Sequence, residues 1–143
     1  MKAEEGSYKQ EELTGKIIGV FYQVYNELGH GFLESVYKKS MAMALRQTGF
    51  RAEVEQPIAV WFRGKEVGHF AADLLVESSV ILEIKGVRAL EPAHEAQLLN
   101  YLRGTDIEVG LLLNFGPRPQ IKRLAFDNER KGRRETQPQI NAE

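Results

Sequence analysis

The chain has 143 residues, 43% hydrophobic and 27% charged, with a formal net charge of −1. That is the profile of one soluble globular domain, too near neutral to bind nucleic acid by bulk charge alone. With no cysteine, disulfides, thiolate zinc sites, iron–sulfur clusters and cysteine nucleophiles are excluded. No signal-like start and no apolar run of about 18 residues is present, which predicts a cytoplasmic protein without a membrane span.

Residues 1–9 are polar and read as a flexible N-terminus. From Glu11, the residues Leu13, Ile17, Val20, Phe21, Val24 and Leu28 recur at helical spacing, and Gly29 stops the pattern. Tyr22 and Tyr25 flank this stripe as packing residues, and His30 reads as an exposed loop residue. A second helix is predicted over 33–47, burying Leu33, Val36, Tyr37, Ser40, Met41, Ala44 and Leu45 and ending at Thr48-Gly49. Glu34 falls in its first turn, where the helix dipole favours an acid. Taken alone, it reads as a dipole-complementing acid paired with Lys38 one turn on.

Strands are predicted over 51–55, with a break at Pro57, then over 58–62, 66–76 and 80–85. The last two form a hairpin around Glu77-Ser78-Ser79. In a three-residue loop Val76 pairs with Val80, and Asp73 falls opposite Glu83 at about 5 Å on a shared face. A two-residue loop would set Asp73 against Ile84 and break the pair. Alternation puts Glu83 and Lys85 on one face of their strand and Val80, Leu82 and Ile84 on the other. On the strand of Asp73 the same face is expected to carry Val67, His69, Ala71 and Leu75, with His69 either lining the site or lying on the surface. Two adjacent carboxylates raise a pKa or call for a cation, and Mg²⁺ is commonly held by one or two carboxylates plus a substrate phosphate. A Glu-x-Lys pair alone carries almost no signal and reads as part of a surface salt-bridge ladder. Its setting among apolar residues is what suggests chemistry, because charges there are costly unless paired.

A loop over 86–90 leads to a helix over 92–103, opened by Glu91-Pro92. His94, Gln97 and Tyr101 share one face of it. The run 108–115 is almost wholly apolar, as in a strand buried on both faces. After a loop at 116–119 comes a last strand, 121–126, and residues 127–143 read as a polar, disordered tail. Arg130, Lys131, Arg133 and Arg134 cluster in that tail and, with Arg118, Lys122 and Arg123 nearby, could touch phosphates, although a charge run is usually only solvated. Residues 10–126 therefore predict one mixed α/β domain of order α-α-β-β-β-β-α-β-β, its central sheet flanked by helices on both sides.

Gly31-Phe-Leu-Glu34-Ser-Val-Tyr37 resembles the Gly-x-x-Glu-x-x-Tyr pattern of the GxxExxY family, a group of the PD-(D/E)xK nuclease superfamily. Asp73…Glu83-x-Lys85 is similar to the superfamily signature, and Gln97-x-x-x-Tyr101 to an added motif of its RecB-type nucleases. Ala72 stands where a proline often precedes the first acid. The RecB-type cluster cysteines are missing, so no cluster is implied. The resemblance implies a restriction-endonuclease-like core over residues 13–126. It further implies Asp73 and Glu83 as the principal ligands of Mg²⁺ or Mn²⁺, with Glu34 completing the acidic site and the Ile84 carbonyl as a further ligand. Lys85 would be the catalytic lysine, with Gln97 and Tyr101 at the rim. The function so implied is metal-dependent phosphodiester hydrolysis of DNA, with RNA second. The alternative is a catalytically silent module that binds nucleic acid or a protein. Either is compatible with a homodimer or larger assembly.

Overall fold

The two amphipathic patterns at the front of the chain form α1 (Glu11–Leu28) and α2 (Glu34–Gln47). The structure is a computed structural model and describes residues 10–131, so the expectations for 1–9 and 132–143 lie outside it. Helix α1 buries Ile17, Val20, Phe21 and Val24; α2 buries Tyr37, Met41, Ala42 and Leu45. Leu33, expected on the buried stripe, is instead the extended residue before α2 and is 75% exposed. The cause is Tyr37. Its hydroxyl donates to the Gly29 carbonyl at 2.6 Å and accepts the Phe32 N–H at 3.1 Å, which holds the turn between the helices outside the helical path.

Five strands follow: β1 (Ala52–Phe62), β2 (Lys65–Val76), β3 (Val80–Lys85), β4 (Val109–Phe115) and β5 (Pro119–Ala125). They form one sheet in the order β1-β2-β3-β4-β5. Every neighbouring pair is antiparallel except β3 and β4, which are parallel. Parallel neighbours need a crossover, and α3 (Pro92–Gly104) supplies it. The expected break at Pro57 does not occur. Pro57 pairs with Ala71 inside a continuous β1, which is an edge strand, where a missing N–H need cost no ladder bond. The two strands expected over 51–62 are therefore one.

The sheet has a core on each side. Leu74, Val80, Leu82, Ile84 and Leu111 pack with α1 and α2; Ala72, Leu75, Ile81 and Leu112 pack with Leu98 and Leu102 of α3. Phe115 stacks on Tyr37 with ring centres 4.1 Å apart and meets Phe21 edge-on at 4.8 Å. The packed chain also continues past Phe126, the boundary expected from composition. Asn128–Arg130 form a short 3₁₀ turn, and Lys131 is 4% exposed, its ammonium donating to the carbonyls of Thr105 and Ile107, both at 2.9 Å. Among the described residues no helix is long and apolar enough to cross a membrane.

Candidate active site

The hairpin turn has the three-residue length its register requires. Glu77 and Ser78 both take positive φ, 54° and 53°, and the Ser79 N–H donates to the Val76 carbonyl at 2.9 Å. Val76 pairs with Val80, Leu75 with Ile81 and Leu74 with Leu82; there the backbone ladder ends. At the next step the side chains take over. The Ile84 N–H donates to Asp73 Oδ2 at 2.8 Å, and the Asp73 N–H donates to Glu83 Oε2 at 3.3 Å. Each carboxylate thus serves a backbone donor of the opposite strand, which would otherwise cost about 1–3 kcal/mol as a buried, unpaired group.

The opening has a local cause. Ala72 packs on the α3 side of the sheet and Leu74 on the α1/α2 side, so the alternation of faces slips at Asp73. On β1, Glu55 lies between the residues paired with Leu74 and Ala72 and takes a φ of 52°. The single face expected for Val67, His69, Ala71, Asp73 and Leu75 is therefore broken, because Leu75 joins Ala72 on the α3 side. His69 is exposed on the part of β2 that runs beyond β3, about 13 Å along the strand from Asp73.

Glu83 is 9% exposed, and its carboxyl is pushed up to about 7 by burial first and by the Asp73 charge second. The Asp73 backbone N–H and the charges of Lys85 and Lys38 oppose that rise. Lys38 is the residue that sequence reasoning misplaced. Its ammonium does not pair with Glu34 but reaches Glu55 at 2.9 Å and Asp73 at 3.4 Å. The hydrogen bond to Glu55 is the main cause holding Lys38 above its ordinary value, and it holds Glu55 below. The signal available was its place one residue after Tyr37, on the edge of the buried stripe facing the sheet.

Lys85 ends β3, half-buried and paired with Asn114 of β4. Alternation from Ile81 puts it, like Glu83, on the α3 side. Glu34 is brought to this end of the strand by α2, where its Oε2 accepts the N–H of Gly86 at 3.2 Å. Tyr101 approaches from α3 with its ring stacked on Phe70 at 3.7 Å. Burial raises its hydroxyl pKa, with Glu83 and Asp73 adding to the effect. Gln97 is exposed on α3. His94, expected on the same face, instead caps that helix: its Nδ1 accepts the Glu91 N–H at 2.9 Å.

Among the described residues no three carboxylate or imidazole groups gather as a closed metal site. Two carboxylates do suit a hard divalent ion whose remaining ligands are water and substrate phosphate. Burial is the main cause of the raised Glu83 pKa, and the Asp73 charge that adds to it is a repulsion that a cation would relieve. The donor set therefore fits an open, substrate-completed site.

Residues 11–124 match the sequence profile described as the PD-(D/E)XK nuclease superfamily. No curated protein matches the chain closely in sequence. Among solved structures the fold is similar to that of SSO0001, at a TM-score of 0.50 and 21% identity over 76% of this chain. The chain spans 58% of that protein's length. It also overlaps an alkaline exonuclease (LHK-Exo) from Laribacter hongkongensis, at a TM-score of 0.49 and 12% identity, covering 89% of this chain and 76% of the other.

Proposed function

The chain belongs to the PD-(D/E)XK nuclease superfamily, its mixed sheet flanked by helices being the restriction-endonuclease-like core, and from that premise we propose that it is a divalent-metal-dependent nuclease of the GxxExxY group. The carrying observation is the clasp of Asp73 and Glu83 where the β2–β3 ladder opens, with Lys85 two residues on. In this reading Asp73 and Glu83 hold Mg²⁺ or Mn²⁺ with the Ile84 carbonyl as a further ligand, and Glu34, on the Gly86 N–H, completes the acidic site from α2 without being a third carboxylate on the ion. The metal, when bound, supplies Lewis-acid polarisation of the phosphate and a more acidic water. Lys85 orients the attacking water or balances charge on the phosphate, a role favoured by its shared face with Glu83. Tyr101 borders the carboxylates from α3, and Gln97, one turn earlier, faces solvent where a nucleic-acid backbone would pass.

DNA is the favoured substrate and RNA the second. A homodimer or larger assembly would add grip that one small domain lacks. A silent binding module has one observation in its favour: Lys38 already neutralises part of the acid cluster without a metal. Cleavage of plasmid and single-stranded DNA in Mg²⁺ or Mn²⁺ separates the readings. The nuclease reading expects activity in wild type and a loss of at least about 100-fold in Asp73→Asn and Lys85→Ala, both still folded. Nucleic-acid binding in EDTA with no cleavage in either metal would favour the silent module.

A further inference from the structure

A second constellation lies just past Lys85. The loop following β3 and the loop joining β4 to β5 enclose a cleft of about 550 Å³, lined by Arg88, His94, Arg118 and Gln120 among others. Both walls are tied down. Asn114, fully buried, accepts the Val87 N–H at 2.9 Å and donates to the Val87 carbonyl at 3.0 Å. Gln120 Oε1 takes the Leu90 N–H at 2.9 Å and an Asn114 amide hydrogen at 3.0 Å. On the other wall, the Tyr25 hydroxyl reaches the carbonyls of Gly116 at 2.6 Å and Pro117 at 3.0 Å. A Cβ at Gly116 would stand 2.3 Å from the Val87 carbonyl, so only glycine lets the two loops meet.

The side chains held there are mainly donors. Arg88 and Arg118 are exposed, and neither guanidinium is paired with a carboxylate among the described residues. His94 accepts at Nδ1, so its ring N–H sits at Nε2. Glu91 is the one acid on the wall, against two guanidinium groups. Arginine on rigid loops suits a tetrahedral oxyanion through bidentate hydrogen bonds. Arg88 follows Lys85 by three residues, so its backbone lies within about 11 Å of the lysine's.

We propose that the Arg88–Arg118 cleft is a phosphate subsite that holds a phosphate of the nucleic-acid strand next to the one presented to Lys85. The proposal rests on the nuclease reading for its ligand, and its test does not require cleavage. The phosphate could be an internal diester or a terminal monoester, and the two are distinguishable. Binding of fluorescent oligonucleotides is measured in EDTA across a salt series with wild type, Arg88→Ala, Arg118→Ala and the double variant. Lys16→Ala on α1 serves as the control for loss of one positive charge elsewhere. The expected result is a 5- to 10-fold loss per arginine, with a salt slope smaller by about one per contact removed. Lys16→Ala is expected to lose less than about twofold. Equal losses on circular and linear single strands assign an internal diester; a loss confined to 5′- or 3′-phosphorylated ends assigns a terminal monoester. Unchanged affinity and salt slope in the double variant would overturn the subsite, as would a wild type that binds no oligonucleotide at low salt. Loss of cleavage in Asp73→Asn with binding intact concerns only the acid cluster and leaves the cleft standing.

Discussion

At the scale of single residues, the site is governed by how two carboxylates and an ammonium share a gap in the sheet. Glu83 has an ordinary value of 4.5 and is raised to about 7. Between those values the folded chain keeps the proton that the unfolded chain releases, so stability falls as pH rises through that window. The full effect is about 3 kcal/mol. Glu83→Gln is therefore expected to flatten this limb and to be more stable than wild type at pH 8 in EDTA, read as urea midpoints at pH 5 and pH 8. Parallel pH dependence in the two proteins would contradict the burial argument. Lys38 gives a second test. Its charge beside Asp73 competes with any cation there, so Lys38→Met is expected to tighten Mn²⁺ binding by about 3- to 10-fold in calorimetry, or about 1 kcal/mol. Weaker binding would mean that Lys38 supports the site instead. The hairpin register that leads up to Asp73 and Glu83 was legible because it follows from counting a loop. Lys38 was not, because helical spacing offers it Glu34 and only the packing of α2 on the sheet offers it Asp73.

At the scale of elements, the β2–β3 hairpin and α2 do the positioning. Deleting Ser78 would leave a two-residue turn and set Asp73 against Ile84. The variant is expected to lose cleavage even where circular dichroism shows the fold retained. Tyr37 has a different role: its hydroxyl ties the turn that delivers Glu34 to Gly86. Tyr37→Phe should cost about 1–2 kcal/mol in chemical denaturation, since it leaves a carbonyl and an amide without their partner. A change under about 0.3 kcal/mol would contradict that role. The helical stripes and the apolar strand β4 were readable from periodicity and composition. Pro57 misled because a proline's effect depends on whether its strand lies at the edge, which only the assembled sheet decides. Leu33 misled because a tyrosine four residues later holds it out of the helix.

At the scale of the whole molecule, near-neutral charge and local arginine pairing belong together. The net charge of −1 gives no general pull on a polyanion, so affinity must come from a few placed groups. Nucleic-acid binding is accordingly expected to be modest and salt-sensitive and to show little base preference. The layered α/β plan was legible from the order of helical and strand periods. The end of the packed chain was not, since the polar segment after Phe126 hides Lys131, whose stem is buried while its ammonium meets two carbonyls. The central claim, that Asp73 and Glu83 form a divalent-metal site serving phosphodiester cleavage, is tested most directly by calorimetric titration of Mn²⁺ into wild type and the Asp73→Asn/Glu83→Gln double variant. A non-cleavable oligonucleotide is included in both samples to supply phosphate ligands. The account predicts binding in wild type and its loss in the folded double variant. Equal binding in both proteins, or none in wild type, would contradict it.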